Sequence, residues 1–151
     1  MLFSNILLIP AAVWVVAQIL KVVINLIQKR EFNWRWLYET GGMPSCHTAF
    51  VVSLAAVIAL DGDFGLGSAE FAIAFVLMMV VIIDAFGVRH HAGEQASILN
   101  RMIDHMPKEK REALELHQTR LKEEIGHEPI EVLAGIALGI AVTWVLVVIT
   151  I

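Results

Sequence analysis

Two short polar strings, far apart in the chain, carry residue types that could do chemistry on a phosphate group. The first is Gly41-Gly42-Met43-Pro44-Ser45-Cys46-His47-Thr48, which enters a hydrophobic segment. Glycines let backbone approach a ligand, proline suits a first helical turn, and the amides of a helix start attract anions. The second is Gly126-His127-Glu128-Pro129-Ile130-Glu131, where histidine and carboxylate stand four residues apart at another hydrophobic entry. Two such helix starts could share one pocket.

The elements that must position these strings are membrane spans. Hydrophobic residues make up 58% of the 151 positions, too large a share for an ordinary water-soluble domain. A helix needs roughly 17 apolar residues to cross a bilayer, and four stretches approach or exceed that length: about 5–28, 44–60, 69–87 and 130–151. No small-residue cleavage site follows the first, which we interpret as a retained span. We predict an all-α integral membrane four-helix bundle, one transmembrane domain over residues 1–151.

The placement of charge predicts an orientation. All eleven Lys and Arg residues lie in the distal half of the first span, in the first loop, or between Arg89 and Lys122. By the positive-inside rule, both basic loops are cytoplasmic and both termini are outside. Even alternation of four spans then puts His47, Arg89 and His127 at the cytoplasmic face. We expect a bacterial cytoplasmic membrane protein whose partners are the bilayer and its lipids, not nucleic acid.

The first span has one polar face, which should point to the same side of the bundle. Gln18, Lys21, Asn25 and Gln28 are spaced i, i+3, i+7 and i+10. Lys21 could be a ligand of the site or a lysine that snorkels to the headgroups.

A charged insertion of about residues 90–126 separates the third and fourth spans. Ile98, Met102 and Met106 form one helical stripe that ends at Pro107, and we predict a second helix ending at Gly126. This second helix is indicated by an apolar stripe and by oppositely charged pairs at i, i+4. The stripe is Leu114, Leu121 and Ile125, and the pairs are Lys108–Glu112, Arg111–Glu115 and Arg120–Glu124. We interpret the insertion as an amphipathic helical hairpin, interfacial or self-packed, with a lid over the pocket as the alternative.

Several of these residues also have plainer interpretations. Ser45 could be only a helix cap, and Arg89 could only snorkel. His90, His91 and Glu94 could ligate a metal, but no further ligand pattern completes a set, so no metal and no cofactor is predicted. Gly135 and Gly139 are most simply a GxxxG helix-packing surface, and a homo-oligomer through that face is an open prediction.

These residues carry a resemblance that covers nearly the whole chain. Pro44-Ser45-Cys46-His47 resembles the Pro-Ser-Gly-His motif of the type 2 phosphatidic acid phosphatase superfamily, which is related to acid phosphatases and vanadium-dependent haloperoxidases. The string from His127 through Glu131 to Gly139 resembles its His-x3-Asp motif with the glycines that follow. With Glu31-Phe32-Asn33-Trp34 and the segment Asp84 to Arg89, the chain is similar to the short, divergent four-span branch of that superfamily.

The resemblance implies roles for individual residues. His47 would be the general acid, His127 the nucleophile and Glu131 its orienting partner, while Arg89, Ser45, Lys21 and Arg30 would bind the phosphate. The sequence departs from the family pattern at several points, among them Cys46 for glycine and Glu131 for aspartate. Thirty-seven residues separate Arg89 from His127, where the usual motif has five.

Two functions from different classes remain. The first is a metal-independent phosphatase that acts on a lipid phosphate monoester or diphosphate, of the phosphatidate or polyprenyl diphosphate type, through a phosphohistidine. The second is a catalytically inactive relative that binds phospholipid headgroups or serves as a small membrane assembly or transport subunit. A carrier for ions or small solutes would need charges deep in several spans, and mid-span charge is nearly absent.

Overall fold

The computed structural model describes residues 3–30, 34, 42–114, 116, 120–121 and 129–150, and only the backbone of Phe3, Ser4, Lys29, Phe86, Arg89 and His90. Within these residues the regular elements are helices and no strand occurs. They are α1 (Phe3–Lys29), α2 (Cys46–Leu60), α3 (Ala69–Phe86), α4 (Val88–Asp104), α5 (Lys108–Ala113) and α6 (Pro129–Thr150). The all-α prediction is confirmed.

Four of the helices correspond to the four predicted spans. Residues Asn5–Gln28 of α1 and all of α6 are long and apolar enough to cross a membrane. α2 has 15 residues and is shorter than a full span. It begins two residues later than the predicted segment, because Ser45 is its N-cap and Pro44 lies outside the helix.

α2 is the centre of the bundle, with α1, α3 and α6 packed around it. Most of its residues are buried, and the side chains of Ala49 and Val57 are completely enclosed. The neighbouring helices bury small or branched side chains against it, including Val13, Ala17 and Val132. Small residues let membrane helices approach closely enough for dispersion contacts to hold them together.

α2 and α6 run parallel, with contacts that recur every four residues. A Cβ added to Gly135 would lie 2.6 Å from the Ser45 carbonyl oxygen, and one added to Gly139 would lie 2.8 Å from that of Ala49. One further turn along, the Thr143 hydroxyl donates a hydrogen bond of 2.6 Å to Ser53 Oγ. The helix-packing interpretation of the glycines is thus confirmed, and they face α2 of the same chain. Self-association stays a prediction, and it would need another surface.

α1 and α3 run antiparallel to α2. The distal half of α1 lies beside the start of α2, because a Cβ on Gly42 would meet Lys21 Cε at 3.1 Å. The distal half of α3 lies there too, since Val81 lines the same cavity as His47. The ends of α1 and α3 and the starts of α2 and α6 therefore converge at one end of the bundle.

The turn between α2 and α3 is built by short polar side chains. Asp61 ends α2, and its Oδ1 accepts a hydrogen bond of 2.8 Å from the Asp63 amide. Gly65 has a positive φ of 69°, and Ser68 caps α3 by accepting from the Phe71 amide at 3.0 Å. Such turns reverse the chain without leaving helix-end amides unpaired.

In the described part of the insertion, the helices are α4 and the short α5. α4 contains Ile98 and Met102 of the predicted stripe but ends at Asp104, before Met106. Pro107 is the N-cap of α5, so it separates two helices as predicted. The predicted second helix is wrong: α5 ends at Ala113, and Leu121 is not helical. Instead, the side chain of Asn100 is hydrogen-bonded to the backbone of Leu121. Asn100 Nδ2 donates to the Leu121 carbonyl at 2.9 Å, and Asn100 Oδ1 accepts from the Leu121 amide at 3.0 Å. Ile125 and Gly126 lie outside the described residues.

Candidate active site

The two predicted helix starts meet in the structure. The Ser45 amide donates a hydrogen bond of 3.0 Å to the carbonyl oxygen of Glu131. Glu131 is in the first turn of α6, and Ser45 directly precedes α2. Because Gly135 lies against Ser45 one turn later, no side chain separates the two helices here. The described parts of the two strings are therefore in contact, and a pocket shared by both stays a prediction.

Ser45 is a buried helix cap. Its side chain is 1% exposed and accepts hydrogen bonds from the Thr48 amide at 3.4 Å and from the Thr48 hydroxyl at 2.9 Å. The cap interpretation is therefore confirmed. A serine hydroxyl that accepts two hydrogen bonds still has its own proton to donate, so binding of phosphate stays a prediction. Spacing in the sequence does not reveal this role of Thr48, although it stands within the same string.

His47 is exposed in the first turn of α2. Its Nδ1 lies 3.7 Å from the sulfur of Cys46, whose own side chain is buried at 4% exposure. Cys46 therefore turns into the bundle while His47 turns outward. This difference follows from helix geometry, because consecutive residues point about 100° apart.

Lys21 lies inside the bundle. It is 1% exposed, and its stem passes Gly42, whose φ of 100° and lack of a side chain both leave room for it. It is close enough to Cys46 to act on it electrostatically. Snorkelling is wrong for this residue. Of the predicted polar face of α1, Gln18 and Lys21 are buried in the bundle, while Gln28 is exposed near the helix end.

Arg30 stands apart from this cluster. α1 ends at Lys29, and Arg30 follows in a left-handed conformation with φ 54° and an exposed side chain. Its amide donates to the Leu26 carbonyl at 3.0 Å, which closes the last turn of α1. No ion pair joins its guanidinium to another described residue.

Two of the predicted site residues are not fully described. Glu131 is described and is half-buried in the first turn of α6. His127 lies outside the described residues, two positions before Pro129, the first residue of α6. Arg89 lies in the first turn of α4 by its backbone.

An apolar cavity of about 320 Å³ opens beside His47. It lies between α1, α2 and α3, and its lining consists of Trp14, His47, Phe50, Val51 and Val81. Within that lining, the polar side-chain atoms are the ring nitrogens of His47 and Trp14. Trp14 could not be identified from the sequence, since a tryptophan in an apolar span has no partner that spacing could reveal.

The alternative interpretation, a metal site at His90, His91 and Glu94, has little support in the described part of the chain. His91 Nδ1 lies 3.1 Å from Glu94 Oε2, and both side chains are well exposed. No group of three or more His, Cys, Asp or Glu side chains forms a cage among the described residues.

Comparison with known proteins agrees with the motifs. The sequence profile of the Divergent PAP2 family matches residues 2–142. The chain is also 40% identical over 147 residues to the "Uncharacterized membrane protein YuiD" of Bacillus subtilis (strain 168), covering 93% of this chain and 92% of that protein. No solved structure matches. This chain is a membrane protein and belongs to the divergent PAP2 family.

Proposed function

We propose that the protein is a membrane phosphatase that hydrolyses a phosphate monoester or diphosphate of a lipid, of the phosphatidate or polyprenyl diphosphate type, without a metal. The observation that carries the proposal is the hydrogen bond of 3.0 Å from the Ser45 amide to the Glu131 carbonyl. It joins the helix start that bears His47 to the helix start that follows His127. An acid and a nucleophile must stand on either side of one phosphorus atom, and this junction supports that arrangement.

The chain's connectivity supports a place for His127 at this junction. His127 is two residues from Pro129, the first residue of α6. Two residues span at most about 7 Å, so the chain length between them allows His127 to reach the start of α6. The Glu131 carboxylate is near enough in sequence to orient the imidazole and fix its tautomer.

The proposed reaction has two steps. A ring nitrogen of His127 attacks phosphorus, the bond from phosphorus to the lipid oxygen breaks, and His47 gives its proton to that oxygen. Water then attacks the phosphohistidine, His47 takes a proton from the water, and phosphate leaves with His127 restored. Lys21, Arg30, Arg89 and Ser45 are the proposed phosphate ligands. The buried ammonium of Lys21 would offset charge most strongly, because little solvent screens it.

The cavity beside His47 supports a lipid substrate. Its walls are almost wholly apolar and come from α1, α2 and α3. An alkyl or prenyl chain in this cavity would place the esterified phosphate near the imidazole. A soluble phosphate ester would leave the same apolar surface unfilled.

The arrangement of the helices supports four spans with the site on one side. α2 and α6 are parallel while α1 and α3 oppose them, as in a chain that crosses the membrane four times in alternation. With the basic loops inside, the site faces the cytoplasm and both termini are outside.

Phosphate release by the purified protein in detergent tests the proposal. A panel of lipid phosphates is assayed with and without chelator, and an activated aryl phosphate is added because its leaving group needs no proton. His47→Asn should lose about 10²–10⁴-fold more activity on a lipid phosphate than on the aryl ester, whereas His127→Asn should be inactive on both. His105→Asn, an exposed histidine at the end of α4, is the matched control.

A mutant cycle tests the pairing of His127 with Glu131. A carboxylate that acts only through its histidine contributes nothing once the histidine is gone, so His127→Asn and Glu131→Gln should be strongly non-additive. Losses that multiply would refute the pairing. If wild-type protein releases no phosphate but binds lipid phosphates, the inactive lipid-binding relative is the better description.

A further inference from the structure

The surface of α4 divides into three sectors around its axis. At 3.6 residues per turn, one sector contains the buried residues Gly93, Ala96 and Asn100, which pack on the rest of the chain. A second contains exposed polar residues, among them Glu94 and Arg101. The third contains exposed apolar residues, at 70% for Val88, 56% for Ile98, 46% for Leu99 and 60% for Met102. The exposed polar residues His91 and Gln95 lie in this sector between Val88 and Ile98, so it is continuously apolar only in the second half of α4.

The apolar sector has no partner within the described chain. Ile98 and Met102 stand one turn apart and point the same way, and their side chains are more than half exposed. Exposing such a stripe to water is unfavourable by about 25 cal/mol of free energy for each Å² of apolar surface. A polar sector next to an apolar one is the pattern of a helix that lies between water and lipid.

Continuity with α3 identifies the occupant. The side chains of Ile73, Val80 and Ile83 on α3 are exposed at 58–70%. In the proposed four-span arrangement they face acyl chains. Gly87 alone separates α3 from α4, so the exposed apolar surface continues from Ile83 through Val88 onto α4.

We propose that α4 lies along the membrane surface, with Ile98, Leu99 and Met102 of its second half inserted into the lipid of the leaflet that contains the candidate site. Glu94 and Arg101 then face water, and the buried sector rests on the bundle. The inference goes beyond catalysis and does not need it, but it rests on α3 as a span. It makes α4 an in-plane helix that anchors the insertion beside the site, in place of a lid that swings through water.

Spin labels in proteoliposomes of phosphatidylcholine and phosphatidylglycerol test this placement. In a Cys46→Ala background, single nitroxides replace Ile98, Met102, Glu94 and Arg101, and one at Val80 reports on α3. Labels at 98 and 102 should collide more often with oxygen than with a water-soluble nickel complex, at a depth of roughly 5–10 Å. Labels at 94 and 101 should show the reverse preference.

Each outcome decides the matter. If labels at 98 and 102 prefer the nickel complex, the stripe is in water and the proposal is wrong. If both are shielded from oxygen and nickel, a protein surface or a second copy covers the stripe, which also overturns it. A label at Val80 outside the lipid would refute α3 as a span, whereas failure at 98 and 102 alone leaves the four spans and the proposed phosphatase intact. All four exposed positions tolerate substitution without loss of packing, and unchanged helicity confirms it for each variant.

Discussion

Gly135→Ala perturbs the junction between α2 and α6 by one methyl group. The new Cβ would lie 2.6 Å from the Ser45 carbonyl oxygen and 3.0 Å from Thr48 Cβ. Ordinary contact begins at 3.4 Å, so the helices must separate by about 0.8 Å at this point. The obstacle is backbone, which cannot rotate away as a side chain can.

The expected cost in stability is moderate, and the expected cost in activity is larger. Overpacking costs about 1–3 kcal/mol, and the better helix propensity of alanine returns up to about 1 kcal/mol. Unfolding should therefore become easier by up to about 2 kcal/mol. A misplacement of about 1 Å at a reacting centre can cost on the order of 10²-fold in rate, so phosphate release should fall well beyond the loss of folded protein.

Two matched substitutions make the result interpretable. Gly67→Ala adds the same methyl group where nothing lies within 4 Å, and both stability and activity should stay unchanged. Gly139→Ala meets the Ala49 carbonyl at 2.8 Å, about 6 Å further along the helix, so it should cost similar stability and less activity. Thermal unfolding in detergent and phosphate release are measured on all three. Equal losses of activity in Gly135→Ala and Gly139→Ala would refute a site at the Ser45 junction. If Gly135→Ala has the stability and activity of the wild type, the close approach of the two helices is itself refuted.

Two further predictions concern topology and packing. A membrane-impermeant thiol reagent should label Lys108→Cys in inverted vesicles and Gly62→Cys in intact cells, with native Cys46 silent in both because it is buried; the opposite pattern would invert the proposed orientation. Ser53→Ala and Thr143→Val should show a coupling of about 0.6–1.7 kcal/mol in a double-mutant cycle, because their hydrogen bond of 2.6 Å is fully buried, and strict additivity would contradict it.

Much of the fold could be predicted from the sequence, because the information is local. Long apolar runs set the helices, Ser45 and Ser68 mark their starts, and Gly135 and Gly139 mark the face that packs. Each of these features acts within one or two turns of its own position, so spacing alone reveals it.

The structural predictions that failed have a common physical cause, which is contacts between residues far apart in sequence. Leu114 and Leu121 have helical spacing, yet the backbone of Leu121 is not helical and exchanges two hydrogen bonds with the side chain of Asn100, 21 residues away. Arg120 is 3.9 Å from Asp104 and not on a helix with its predicted partner Glu124. In the same way, the burial of Lys21 depends on Gly42, which spacing within α1 could not show.

The short length of α2 explains how a helix start can serve a lipid headgroup. Since Ser45 pairs with Gly135, and Ala49 with Gly139, the first residue of α2 lies level with Ile136 of α6. α6 begins seven residues before that level, at Pro129, which recesses the start of α2 by about 10 Å. Non-helical backbone at such a depth is tolerated only when its polar groups are paired, and the Ser45 amide is paired with Glu131. Under the proposed function, a lipid phosphate would reach the start of α2 in this recess while its chain occupies the apolar cavity beside His47.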